Sequence, residues 1–220
     1  MAYNISMSRR GSELREHILY AAKNVFLEVG FERASMDVIA ARAQTSKRSL
    51  YAHFESKENL YLAIIELVRE MSLSKLKTPG EYSDDPAEAL VLFCGRFLEG
   101  LLFAWTIRMC RMSIAEAERF PEGAAEYFDA IFSVPHERLG AYLRGTFGLS
   151  EAASAEAARK LLGRILYPCF PRALFGLDTL SEQSDEHTIS LDFDLGPVRS
   201  AVAELLESLG DPLPGLRPDA

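Results

Sequence analysis

The sequence predicts an all-α protein, a three-helix helix-turn-helix unit followed by a longer helical bundle. Three observations carry that expectation. Apolar residues recur at steps of three and four along most of the stretch from Ser12 to Leu209, the signature of helices with one buried face. Serine, glycine and proline fall between those stretches, where helices begin and end. Period-two alternation shows in one short run, Thr188 to Asp194, which leaves room for a brief extended segment and no sheet.

The boundaries follow from the same reading. Residues 1–11 form a disordered arm, in which Arg9 and Arg10 are either a contact for nucleic-acid backbone or a solvated basic tail. Residues 12–56 are the helix-turn-helix unit, 57–209 the bundle, and 210–220, with three prolines in eleven residues, a disordered tail. In the first helix Leu14, Ile18, Ala21, Ala22, Val25, Phe26 and Val29 share a face; Ser12 caps its start and Gly30 ends it. Ser35 to Ala43 is a short capped helix, and Gln44-Thr45 joins it to a second that starts after Ser46 and closes near Glu55. Ser56 caps a longer helix from Lys57 to about Leu76. Pro86, tolerated in a first turn because its missing N–H has no partner there, opens a helix to about Cys110 that is apolar nearly all round and therefore central. Met112 to Arg119 is a short helix, and Glu122 to Phe147 a longer one that Pro135 divides. Ala152 to Leu177 is helical until Pro168 and Pro171 interrupt it, Asp178 to Asp194 is an acidic loop, and Pro197 to Leu209 the last helix.

Composition narrows the function classes. No apolar run reaches the ~18 residues of a membrane span, and the N-terminus lacks a hydrophobic leader segment, which together point to the cytoplasm. The three cysteines have no C-x-x-C spacing; they read as buried, reduced thiols, with redox sensing as the alternative. Net charge is −8, but residues 1–57 hold nine Lys and Arg against six Asp and Glu, while the rest holds 15 against 26. One small end of an acidic chain thus carries the affinity for phosphates.

The stretch TSKRSLYAHFESK, Thr45 to Lys57, concentrates the chemistry. Leu50 and Phe54, four apart, pin a two-turn helix and leave Lys47, Arg48, Ser49, Tyr51 and His53 on its other faces. Cationic and hydrogen-bonding groups on a short pinned helix suit the DNA major groove. With F-x-x-x-G-F at Phe26 to Phe31, S-M-x-x-I-A at Ser35 to Ala40 and S-L-Y-x-H-F-x-S-K-E-x-L at Ser49 to Leu60, this region resembles the DNA-binding domain of the TetR family of transcriptional repressors.

The resemblance implies a homodimer that places one recognition helix per subunit on a palindromic operator in double-stranded DNA, released by a small-molecule effector, with no cofactor. Carried onto this chain, the DNA-facing positions are Ser35, Met36, Thr45, Lys47, Arg48, Ser49, Tyr51, His53 and Lys57. Ser35, Tyr51 and Lys57 fall to phosphates, and Lys47, Arg48 and Ser49 to base edges; His53 reads equally as packing beneath its helix. Many members carry glycine where this chain has Arg48-Ser49, so base preference does not transfer. The bundle corresponds to the ligand-binding and dimerisation domain. An apolar or aromatic effector would use Phe97, Phe103, Trp105, Met109, Phe128, Phe132 and Tyr167, residues whose helical spacing reads equally as core. Arg96, Glu99, Arg108 and His136 are polar groups near those runs. Two other functions compete: a DNA-binding dimer without a small-molecule switch, and a helical enzyme, for which no recognisable catalytic constellation stands out.

Overall fold

The structure, a computed structural model, describes residues 2–182 and 189–210, with side chains from Gly11 onward. The stretch 183–188, Thr188 of the alternating run among it, and the expected tail beyond Gly210 lie outside the described residues. Eleven α-helices are described: α1 Ala2–Arg33, α2 Met36–Arg42, α3 Lys47–His53, α4 Lys57–Lys75, α5 Pro86–Leu102, α6 Ala104–Ala115, α7 Pro121–Phe128, α8 Val134–Phe147, α9 Glu151–Leu166, α10 Cys169–Leu174 and α11 Gly196–Ser208. No strand is found among the described residues; one isolated parallel bridge joins Phe103 to Ser181.

Five expectations are corrected. The first helix begins at Ala2, not Ser12, because nothing between Ala2 and Gly11 breaks it and a lone helical glycine costs only about 1 kcal/mol. The helix expected over Pro86 to Cys110 breaks at Phe103, whose extended backbone (φ −65°, ψ 143°) starts α6 one residue later, with Ala104 N–H bonded to the Ser181 carbonyl at 3.0 Å. Met112 to Ala115 therefore completes α6 instead of opening a helix. Pro135 does not divide the next segment: the π turn Asp129–Ser133 just before it takes up an extra residue, and the helix runs on through Pro135 into α8. In the expected extended run, Ser190 to Phe193 is a turn closed by Phe193 N–H to the Ser190 carbonyl, 3.0 Å.

The chain forms two compact units, which do not follow a single cut at residue 57. One comprises the residues up to Glu70 together with Arg111–Tyr127; the other comprises Met71–Cys110 and the residues from Phe128 onward. In the first, Gly30 adopts φ 79°, ψ 167°, a conformation open to glycine almost alone, and breaks α1 so that Phe31 folds back. Phe31 then stacks on Phe26 at 5.7 Å and meets Tyr61 at 5.3 Å and Phe120 at 5.1 Å, edge-on in both cases. This aromatic cluster, with Ile18, Val25, Ile39 and Leu50, is the core that holds α2 and α3.

In the second unit α5 is buried on nearly every side, against α9, α10 and α11. Gly95 allows the closest approach there: a Cβ would lie 2.4 Å from a methyl of Leu195. The last carbonyls of α4 are capped by Arg138 of α8, whose guanidinium donates to Leu73 O at 3.2 Å and to Leu76 O. A cation at a helix C-terminus also complements its dipole.

Candidate nucleic-acid interface and effector cavity

Each short helix of the first unit is set by a local cap. Ser35 Oγ accepts the N–H of Val38 at 3.2 Å, Ser46 Oγ that of Ser49 at 3.0 Å, and Ser56 Oγ that of Asn59 at 3.0 Å. Between α2 and α3 the chain reverses at Gln44, a non-glycine residue held at φ 50°. Leu50 is fully buried and Phe54 nearly so, with the Arg15 guanidinium 5.0 Å from the Phe54 ring centre. That anchors one face of α3 and leaves Lys47, Arg48 and Tyr51 in solvent, with His53 half-exposed.

The structure sorts the nine expected DNA-facing residues into three groups. Lys47, Arg48 and Tyr51 form an exposed surface on α3, and Ser35 is exposed at the start of α2. Thr45, Ser49 and His53 are half-buried beside them. Met36 is buried beneath α2, because the residue after a helix cap points toward the core here, and it offers no surface to DNA. Lys57, expected on a phosphate, instead turns inward. Its ammonium donates to Phe31 O at 3.0 Å and Ala34 O at 3.3 Å and sits 4.3 Å from the Phe31 ring centre. Phe31 lies in the last turn of α1 and Ala34 between α1 and α2, where carbonyls lack a helical partner, and Lys57 supplies the donor.

Two ion pairs that sequence reasoning missed frame this surface. Lys47 Nζ lies 2.8 Å from Asp37 of α2, which raises the lysine pKa through the hydrogen bond and then the charge. Arg42 makes a bidentate pair with Glu28 at 2.9 and 3.0 Å, holding the carboxylate below its usual range. Both pairs are solvent-exposed and weak, so a phosphate can compete for either cation.

The second unit contains a cavity of about 80 Å³. Phe97, Phe103 and Trp105 line it, together with Ser72, Lys75 and Arg96. The other expected effector contacts lie elsewhere. Met109 is fully buried in the core, outside that wall. Phe128, 55% exposed, and Phe132 form a ring pair at 5.1 Å, Phe132 packing on Phe170 at 5.6 Å. Tyr167 ends α9 with 76% of its surface in solvent. Among the polar groups, Arg108 pairs with Glu182 at 2.5 Å on the surface, and His136 Nδ1 lies 2.6 Å from the Phe132 carbonyl. Arg96 and Glu99 form a buried pair at 2.9 Å, only 6% and 4% exposed. Cys94 and Cys110 are buried, but Cys169 is exposed at the start of α10, contrary to the expectation for all three. No described helix is long and apolar enough to cross a membrane.

Known proteins match both ends of this architecture. The profile of bacterial regulatory proteins of the tetR family matches residues 18–64, and that of the C-terminal domain of AefR-like transcriptional repressors matches residues 88–192. The transcriptional activator FasR of Mycolicibacterium smegmatis is 47% identical over 64 residues, covering 27% of this chain and 29% of its own. The regulator RutR of Escherichia coli is 32% identical over 110 residues, covering 42% of this chain and 52% of its own. The chain thus spans from about a third to about half of the length of such relatives. Among solved structures, a TetR-family regulator from Mesorhizobium loti shares the fold, with a TM-score of 0.73 at 22% identity over 90% of this chain and 98% of that one. The flavonoid-responsive regulator FrrA gives a TM-score of 0.67 at 26% identity, over 90% and 97%. With helix-turn-helix and bundle both matched, this chain belongs to the TetR family of transcriptional regulators.

Proposed function

We propose that this protein is a homodimeric repressor that binds a palindromic operator in the cytoplasm through α3 and is released by an apolar or aromatic small molecule. The observation that carries the DNA-reading half is the exposed Lys47–Arg48–Tyr51 surface of α3, pinned from below by Leu50 and Phe54. Arg48, exposed near the helix N-terminus, suits the bidentate contact to guanine. Lys47 joins it at the base edges, and Tyr51 falls to phosphate. The similarity of residues 88–192 to the domain of AefR-like repressors supports the negative sign of regulation.

The cavity beside Trp105 supports the switch over a DNA-binding dimer without one. At about 80 Å³ it is smaller than the ~300 Å³ from which ligand sites usually start, so an effector has to enlarge it. Ser72, Lys75 and Leu76, at and just beyond the end of α4, are part of its wall. Enlargement therefore displaces the end of the helix whose first residue lies four beyond the end of α3. In a dimer, two recognition helices engage one face of DNA only when about 34–36 Å apart, and a displacement of α4 changes that spacing. A coupling of ~1–3 kcal/mol suffices for a usable switch. Exposed Phe175 and Leu177, with Tyr167, provide apolar surface for a partner subunit. The similarity to flavonoid-responsive FrrA favours an aromatic effector.

In-vitro selection of random duplexes at two salt concentrations tests this reading. Enrichment of a palindrome with a steep salt dependence is the expected result. Failure of the ligand-free protein to enrich any sequence would refute it.

A further inference from the structure

The cavity differs in charge from the rest of its unit. Residues 71–110 and 128–220, which make up that unit, hold 12 Lys and Arg against 19 Asp and Glu. Among the described residues lining the cavity, however, the charged ones are Lys75 and Arg96, and no carboxylate joins them. Arg96 has 6% of its side chain exposed. Its counter-charge Glu99 lies 2.9 Å away but lines a different hollow, where its other oxygen accepts the N–H of Ser190 at 2.8 Å. A buried ion pair stabilises a fold no better than apolar residues of similar size, so stability does not account for a cation in this wall. The remaining surface is dominated by Phe97, Leu101, Phe103, Trp105 and Ile131.

Resting on the reading of this cavity as the effector site, we propose that the effector is a small apolar acid. Its hydrophobic body lies against Phe97, Phe103 and Trp105, and one anionic oxygen group, carboxylate or ionised phenol, is held by Arg96 with Lys75. The guanidinium offers paired donors to a carboxylate, and Lys75 adds a second positive charge. A neutral analogue adds no charge to the buried Arg96–Glu99 pair, and a cationic ligand meets the like charge of Lys75. The Thr106 hydroxyl is already committed, donating to Gly100 O at 2.7 Å.

The test is calorimetric titration of the full chain with benzoate, 2-naphthoate and octanoate, each beside its neutral carboxamide, and with 4-nitrophenolate beside nitrobenzene. At least one anion is expected to bind about tenfold or more tighter than its neutral partner, one charge-assisted contact's worth. Which of the four leads tells carboxylate from phenolate and aromatic from aliphatic bodies. The double variant Arg96→Met/Glu99→Met removes both buried charges and leaves neither orphaned, and should abolish the preference. Lys75→Met, at a half-buried position, should reduce it in a chain whose buried pair is intact. Equal binding of anions and neutral partners, a preference that survives both variants, or no binding by any probe would overturn the proposal. The switch is read separately: neutral probes that bind equally and release DNA would sink the acid while sparing the switch. Anions that bind selectively without altering DNA affinity would do the reverse.

Discussion

Replacing Lys57 by Met separates two roles for one cation. Its ammonium makes two short hydrogen bonds, to Phe31 O and Ala34 O, and lies over the Phe31 ring. Hydrogen bonds from a charged donor contribute about 1.5–3 kcal/mol each when buried, and a cation over an exposed ring about 0.5–1 kcal/mol. The site is half-buried, so water replaces part of the loss, and a destabilisation of about 2 kcal/mol is expected. For a chain of this length that lowers Tm by roughly 4–8 °C. The salt dependence of operator binding, by contrast, should hardly move, since each phosphate-bound cation contributes a slope of about 0.9 in log K against log salt. Thermal denaturation and fluorescence anisotropy at four salt concentrations measure the two quantities on the same preparation. A slope reduced by about one with an unchanged Tm would show that Lys57 leaves its carbonyls for the DNA backbone, and would refute the structural role assigned to it.

Three further outcomes are expected. Asp37→Asn frees Lys47 from its pair and removes a negative charge from the α2–α3 surface; operator affinity should rise and the salt slope steepen, as read by anisotropy. Gly100→Ala should raise Tm by about 2–4 °C, because a Cβ there meets nothing within 4 Å and alanine gains about 1 kcal/mol of helix propensity over glycine. Since Gly100 also lines the cavity, the same variant should weaken effector binding in calorimetry. Under native conditions a thiol reagent should modify Cys169 quickly and Cys94 only on unfolding, since burial pushes the Cys94 thiol above its usual pKa. Mass spectrometry of the labelled peptides decides it.

What was legible in the sequence was local. Caps at Ser35, Ser46 and Ser56 and the pinning pair Leu50 and Phe54 depend on neighbours within a few residues, and α2 to α4 follow from them. The inward turn of Lys57 is not legible in the sequence, because the carbonyls it meets lie 26 and 23 residues upstream. The break at Phe103 carries no proline or glycine; a contact to Ser181, far along the chain, marks it. Periodicity cannot say which apolar face of α5 or α6 borders a void, so Phe97, Trp105 and Met109 look alike in sequence while the first two line the cavity and the third is core. In the sequence Arg96 is only a polar group near an aromatic run, since burial of an ion pair is a tertiary fact.

The π turn at Asp129–Ser133 bears on how such a regulator acquires a new ligand. Ala130 and Ile131 belong both to this turn and to the cavity wall. A π turn is one residue more than the α-helical ladder requires, held without breaking the helix. Deleting a single codon there would restore the regular ladder and change which side chains of the turn itself face the cavity, with the flanking helices left in phase. Chemical specificity could then be rewritten in one genetic step, with Lys47, Arg48 and Tyr51 untouched. Such a lineage would change what it senses while continuing to address the same operator.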